Sequence, residues 1–276
     1  MTQTLRRLGG LFWQGLESLI QSRNLIVQLA KRDIAAKYRG SLLGVLWMLV
    51  LPLTMLGVYS FVFGVVFKSK WTQGDTPIGD FALYLFAGLT MFNIFSESVS
   101  RAPGLLLENV SFIKKVVFPI EILPVVSLIT ALASATASFA MLLLIFVATR
   151  GLPPPSAVLL PVVLLPLCLM TLGASWFLSA VGVYLRDLRQ AISPIMSMLI
   201  FLVPVFYPLA AVPARVSSIV AWNPLTPVLE QGRMVLFDGR LPNPWDWLCL
   251  MIFSAAVAIL GLLWMQATRR GFADVI

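Results

Sequence analysis

Residues 37–67 read KYRGSLLGVLWMLVLPLTMLGVYSFVFGVVF. From Leu42 to Phe67 there is no charged side chain. About 20 apolar residues suffice to cross a hydrocarbon core of about 30 Å, so this stretch can span a membrane with tilt, and Pro52 is expected to kink it. Five further stretches meet the same length criterion: Phe81–Val99, Ile122–Ala148, Ala157–Val183, Ala191–Ala211 and Leu248–Met265. The fourth and fifth spans are interrupted by Pro161, Pro166, Pro194, Pro204 and Pro208, which leaves their boundaries soft. Apolar residues make up 59% of the 276-residue chain and the mean hydropathy is +0.92. The expected architecture is an all-α integral membrane protein: an amphipathic segment over 1–41, then a six-span transmembrane domain over 42–276.

Six crossings put both termini on one side, and charge identifies it. Seven cations precede the first span, and Arg101, Lys114, Lys115, Arg186, Arg189, Arg269 and Arg270 share their side. Lys68, Lys70, Arg150, Arg215, Arg233 and Arg240 face the other way. Positive charge collects in the cytoplasm, so both termini are expected there, and the net charge of +8 reflects orientation rather than nucleic-acid binding. Cys168 and Cys249 both fall in apolar spans and read as ordinary core residues, not as a disulfide or metal framework. Met1–Asn24 is too polar and interrupted for a cleavable signal, so the first span is expected to direct insertion.

The chain has no histidine, and of its twelve carboxylates only Glu97 lies within a span. Pumps and ion-coupled carriers bury such groups as relays. No Gly-x-x-x-x-Gly-Lys-Ser/Thr loop exists to hold a nucleotide phosphate. A membrane-embedded glycan enzyme would want paired carboxylates, histidines or a metal site, and a proton-coupled carrier several buried ionisable groups. The composition favours neither, and a transport protein whose energy comes from another subunit fits best.

Before the first span, Leu5, Leu8, Phe12, Leu16 and Leu19 recur at helical spacing, and Ile26, Leu29, Ala30 and Ile34 alternate with Lys31, Arg32, Lys37 and Arg39. This predicts helix lying in the cytoplasmic interface, apolar side in lipid and cations toward headgroups. In the second span Phe81, Tyr84, Gly88, Phe92, Phe95 and Val99 share one stripe, while Asn93, Ser96, Glu97 and Ser100 share another. Arg101 stands four residues after Glu97, so the carboxylate reads either as a local ion pair or as a polar lining at the mouth of a path. The loop Arg101–Glu121 predicts a short helix capped by Asn109 or Ser111 and ended by Phe118-Pro119. Its many apolar residues suit membrane association or docking into a partner. Beyond the fifth span, Ala214–Ala221 and a helix capped by Thr226 with Pro227 at its first position are too short to cross.

These segments, in this order, resemble the permease subunits of type-2 ABC exporters for polysaccharides, and most closely the O-antigen type. The resemblance rests on Arg32-Asp33, Tyr38, Ser41-Leu42-Leu43-Gly44-Val45-Leu46-Trp47, Pro52 and Phe61-Val62-Phe63-Gly64. It continues through the run from Ile113 to Pro124, Tyr184-Leu185-Arg186-Asp187, Pro208-Leu209, Asn223-Pro224 and the short tail after Arg270. Each motif is short; their ordered co-occurrence with the spans carries the resemblance. It implies a homodimer with two copies of a separate nucleotide-binding ATPase subunit, which would hold ATP and Mg while this chain binds no cofactor and no metal. The cargo would be a lipid-linked polysaccharide (O-antigen, capsule or teichoic acid), and the location the bacterial inner membrane. Phe112, Ile113, Lys114, Lys115, Phe118 and Pro119 would couple to the ATPase, and Lys31, Arg32, Asp33, Lys37, Tyr38 and Arg39 would form the interface helix. The two short outer helices would be re-entrant. A type-2 permease for a drug or lipid is the alternative.

A polysaccharide dragged through hydrocarbon would leave many hydroxyls unsatisfied, so it needs a channel. Aromatic walls offer stacking surface without deep charge wells. Met48, Met55, Tyr59 and Phe63 share one face of the first span, Phe201, Phe206 and Tyr207 come from the fifth, and Asn93 and Glu97 lie near the cytoplasmic mouth. Ordinary packing is the competing reading for each of them.

Overall fold

The computed structural model describes residues 2–41, 43–67, 71, 78–110 and 118–272. Among them the regular elements are all helical. Two helices precede the first span, α1 (Thr2–Gln21) and α2 (Arg23–Tyr38). The membrane-length helices are α3 (Trp47–Tyr59, continuing as a π-helical turn over Ser60–Val66), α4 (Ile78–Glu108), α5 (Ile122–Arg150) and α6 (Leu160–Tyr184). There follow α7 (Leu188–Leu199), α8 (Ala214–Trp222), α9 (Leu225–Arg233) and α10 (Pro244–Thr268). Five of these segments are long and apolar enough to cross a bilayer: Trp47–Val66, Phe81–Glu108, Ile122–Arg150, Pro155–Tyr184 and Pro244–Thr268. The protein is a multi-pass membrane protein.

The expected fifth span is not one helix. Residues 191–211 begin within α7, pass through turns from Leu199 to Tyr207 and end in a short 3-10 turn, Leu209–Ala211. Pro204 and Pro208 lack the N–H that would continue a helical ladder, and each disfavours helical geometry in the residue before it. Pro194, by contrast, is accommodated inside α7. Two other boundaries move. The second span runs on through Pro103 to Glu108, so most of what reads as the start of a cytoplasmic loop is helix. The helix predicted to be capped by Thr226 begins at Leu225, whose N–H is received by Asn223 Oδ1 at 3.0 Å. Thr226 instead donates its hydroxyl to the Val220 carbonyl at 2.6 Å, joining α9 to α8.

α4 is the hub. Its membrane-length segment is 72% buried, against 11% for the α3 segment, so α3 forms the uncovered flank. α4 packs on α5 and α6, and α6 packs most extensively on α10. α9 is short but buried, with Leu225, Val228 and Leu229 wedged against α4 and α6. α1 lies on α10 and α2 on α5. Ile26, Leu29 and Ala30 of α2 are buried, while Trp13 and Ile20 of α1 stay exposed. The apolar side of α2, expected in lipid, is packed on the bundle instead, where it joins a cluster with residues of α5, α6 and α10. Asn243 caps α10 through the Trp245 N–H at 3.0 Å, with Pro244 in the first turn.

Candidate functional site

Two polar constellations occupy opposite ends of the bundle. At one end, which also holds the N-terminal helices, α2 is clasped to α4 and α5. Lys37 Nζ donates to Glu97 Oε1 at 2.7 Å and to Ser134 Oγ at 3.1 Å. Arg101 forms a forked pair with Asp33, Nη1 to Oδ2 at 2.8 Å and Nη2 to Oδ1 at 3.1 Å. The buried Thr130 hydroxyl donates to Asp33 Oδ2 at 3.0 Å. The helical spacing offered Glu97 and Arg101 as partners; the structure gives each a partner on α2 instead. A bidentate guanidinium–carboxylate contact is stronger than a single-point pair, and α2 supplies it at the right depth.

Burial raises the Asp33 carboxyl, but Arg101, Thr130 and Arg32 outweigh this and hold it below the usual carboxylate range. A carboxyl lowered on folding adds stability above its unfolded value and loses it as pH falls through the folded one. Acidification is therefore expected to loosen α2. The Lys37–Glu97 pair is part-exposed, at 38% and 27%, so its worth is at most about 1 kcal/mol. Lys37→Glu should lower thermal stability in detergent, and adding Glu97→Lys should recover most of the loss. A double variant no more stable than the single would rule out direct pairing.

Beside this clasp, Asn93, Ser96, Glu97, Ser100, Ser134 and Ser138 border a polar trough of about 250 Å³ between α4 and α5. Asn93 and Glu97 thus share a wall of this trough.

At the opposite end the aromatic residues of the first and fifth expected spans come together. Tyr59 lies 6.5 Å from Phe63, Phe63 stacks on Phe206 at 6.4 Å, and Phe206 stacks on Phe201 at 5.5 Å. The Tyr207 hydroxyl donates to the Phe201 carbonyl at 3.0 Å. Phe63 also stacks on Phe81 at 5.2 Å, which leads through Trp71 and Tyr84 to Phe237. Met48 is half-buried and Met55 exposed on α3.

The centre of this end is a residue that the sequence showed only as one outer cation. Arg233 is 2% exposed. Its Nε donates to the Tyr84 carbonyl at 3.0 Å, Nη1 to Pro204 O at 2.6 Å and Nη2 to Val205 O at 3.0 Å. Glu230 Oε1 lies 3.3 Å from Nη1, and the Trp71 ring sits 4.3 Å from the guanidinium carbon. Burial pulls the guanidinium down to about 10, which leaves it charged at neutral pH. Arg233 therefore satisfies the Pro204 and Val205 carbonyls that the broken segment exposes, as buried backbone requires. The spacing Glu230–Arg233 hinted at a local pair; nothing in it pointed to carbonyls nearly 30 positions away.

Of the expected coupling residues, Phe112, Ile113, Lys114 and Lys115 lie outside the described residues. Phe118 is buried, and its carbonyl accepts from Arg269 Nη2 at 3.1 Å. Pro119 is half-buried, and its carbonyl accepts from the Ile122 N–H at the head of α5. Of the interface residues, Lys31, Arg32 and Arg39 are exposed, Asp33 and Lys37 are engaged as above, and the Tyr38 side chain lies outside the described set.

The ABC-2 type transporter family pattern matches residues 24–237. The O-antigen export system permease protein RfbA of Myxococcus xanthus is 31% identical over 95% of this chain and 98% of its own length. A protein of the same name from Klebsiella pneumoniae is 22% identical over 92% and 95%. The polysialic acid transport protein KpsM of Escherichia coli is 23% identical over 84% and 88%. With its membrane-length helices and a family match across most of its length, this chain belongs to the ABC-2 type transporter family.

Proposed function

We propose that this chain is the permease subunit of an ATP-driven exporter that carries a lipid-linked polysaccharide, O-antigen above capsule or teichoic acid, across the bacterial inner membrane. The observation that carries this reading is the joined run Tyr59–Phe63–Phe206–Phe201, which links the first span to the broken fifth segment. Aromatic faces suit sugar C–H groups, and the scarcity of fixed charge leaves a moving polymer few places to stall. The relatives' printed names support the cargo.

In this reading residues 1–41 form the interface segment and 42–276 the permease domain. The segment 188–211 makes the remaining crossing in broken form, for six crossings and cytoplasmic termini. α8 and α9 are re-entrant, and the burial of α9 against α4 and α6 supports that placement. A second copy covers the exposed face of α3, where Leu49, Leu53, Phe61 and Val65 would otherwise meet lipid. Two ATPase subunits hold ATP and Mg and engage residues 112–119. Arg269 ties the exit of that segment to the end of α10, so motion there reaches the bundle.

A strain lacking this chain should keep its polymer inside and lose it from the surface; a strain that still displays it would sink the reading. Met55→Ala with Phe201→Ala, both exposed apolar residues of the expected path, should lower surface polymer severalfold at unchanged abundance. Phe63→Ala is different, because four rings contact Phe63. It should cost a share of the ~3–5 kcal/mol typical of buried Phe→Ala, and lower abundance as well. Normal export by the Met55/Phe201 double variant would move the path to other faces.

A further inference from the structure

Next to Arg233 the outer end holds a cavity of about 600 Å³ bordered by Trp71, Tyr84, Glu230, Arg233 and Asp238, with Pro208–Ala211 along one side. Sites for small organic ligands fall at roughly 300–1,000 Å³, so the space suits a compact polar ligand. Among the described residues, the charged groups on its wall are two carboxylates and one guanidinium. The guanidinium is committed: its donors point to the carbonyls of Tyr84, Pro204 and Val205 and to Glu230. The carboxylates are not. The Glu230 side chain is 34% exposed and meets Arg233 through Oε1 alone. Asp238 is exposed and receives the Tyr84 hydroxyl through Oδ1 at 2.7 Å. Glu230 Oε2 and Asp238 Oδ2 have no hydrogen-bond partner among the described residues.

We propose that this cavity is a sugar subsite for the exported chain, that it takes one or two neutral units, and that it rejects polyanionic ones. The inference rests on the polysaccharide-export reading and deepens it. Open carboxylate oxygens are acceptors, and a neutral sugar is dense in hydroxyl donors that match them. The indole and phenol beside them are pinned in place, Trp71 by Arg233 and Tyr84 by Asp238 and Phe237, so the wall is pre-formed. A polymer with a carboxylate in every unit would bring like charge against Glu230 and Asp238, while Arg233, the cation on the wall among the described residues, is already occupied. Like-charge juxtaposition at a binding surface is a strong rejecting element.

The pure carboxylate role of holding Arg233 and Tyr84 is the competing explanation, and charge selectivity separates the two. The permease with its ATPase, in lipid nanodiscs, would be titrated with a neutral α1,6-linked glucose hexamer and with an α2,8-linked sialic acid hexamer. The neutral oligomer should bind at least about tenfold more tightly. Glu230→Gln with Asp238→Asn should bring the two within about threefold by admitting the charged oligomer. Asp238→Asn alone, outside the reach of Arg233, should move the ratio the same way if the double variant is poorly folded. Equal binding of both oligomers, no binding of the neutral one, or an unchanged ratio in the folded variant would overturn the subsite. A deletion strain that keeps its surface polymer would overturn the export reading instead. Lost export beside a failed ratio would leave that reading intact.

Discussion

Arg233→Met is expected to cost about 3–5 kcal/mol, the range for breaking a buried charged contact, and to strip most of the protein from the membrane. Total stabilities of about 5–15 kcal/mol leave little reserve against such a loss. The cause is not the missing charge alone. Methionine fills much of the volume but leaves the carbonyls of Tyr84, Pro204 and Val205 without donors and Glu230 without its cation. Each buried carbonyl left unpaired costs about 1–3 kcal/mol. Arg233→Lys should rescue little, because an ammonium cannot reproduce a planar fork aimed at acceptors on α4 and on the broken segment together. Gly88→Ala should act in the same direction. A Cβ there would land on Arg233 Nη2, and the pinned guanidinium has no free direction in which to move. Thermal unfolding in detergent, with membrane abundance alongside, reads all three. A wild-type unfolding temperature for Arg233→Met would show that the broken segment is held by something else.

Gly261→Val should be the second severe change. α6 and α10 meet backbone to backbone: a Cβ on Gly261 would run into the Gly173 carbonyl, and one on Gly173 into the Val257 carbonyl. Neither obstacle is a side chain that can rotate away, so the helices must part. Inside a bilayer the hydrophobic effect does not hold two helices together; close packing of small residues does. Overpacking of this kind costs about 1–3 kcal/mol and occasionally more, and this crossing belongs at the upper end because it is the most extensive helix contact in the fold. The loss should spread to the cluster under α2, where Trp176 of α6 donates to the Glu121 carbonyl at 2.9 Å and packs with Leu262 and Met265 of α10. Gly10→Val is the control, since nothing lies within 4 Å of a Cβ there. If Gly261→Val and Gly10→Val unfold at the same temperature, the α6–α10 contact is not tight in solution.

Much of the fold was legible because a bilayer imposes a simple rule. Backbone groups must be satisfied within each segment, so length and apolarity place α3 to α6 and α10 almost by themselves. The amphipathic helices α1 and α2 were legible from periodicity, and the missing nucleotide loop and histidines from composition. The fifth span failed on the same rule. Its composition is apolar enough, but Pro204 and Pro208 break the ladder, and the freed carbonyls are satisfied by a side chain from α9. Hydropathy counts residues and cannot see a donor brought from elsewhere. The Glu97–Arg101 spacing failed for a related reason: a helix offers i,i+4 neighbours, yet α2 offered better ones across the bundle. The aromatic residues of the two spans were legible as members of a lining but not as one connected run, because two separate stripes carry no information about their mutual rotation.

By itself the sequence determined that this chain lives in a membrane, where five membrane-length apolar segments lie and that it carries no Gly-x-x-x-x-Gly-Lys-Ser/Thr loop. Each follows from short-range properties: apolar length, helical period and the presence or absence of particular side chains. Only the tertiary structure decided that Arg233 secures the broken segment after α7, that Lys37 and Asp33 clasp α2 to the bundle, and that Phe63 meets Phe206. These contacts join residues from about 30 to 140 positions apart, and their geometry is fixed by how close the helix backbones can come. That distance is set at Gly173, Gly182 and Gly261, where the missing Cβ atoms let neighbouring backbones approach, and no local pattern in the chain encodes it.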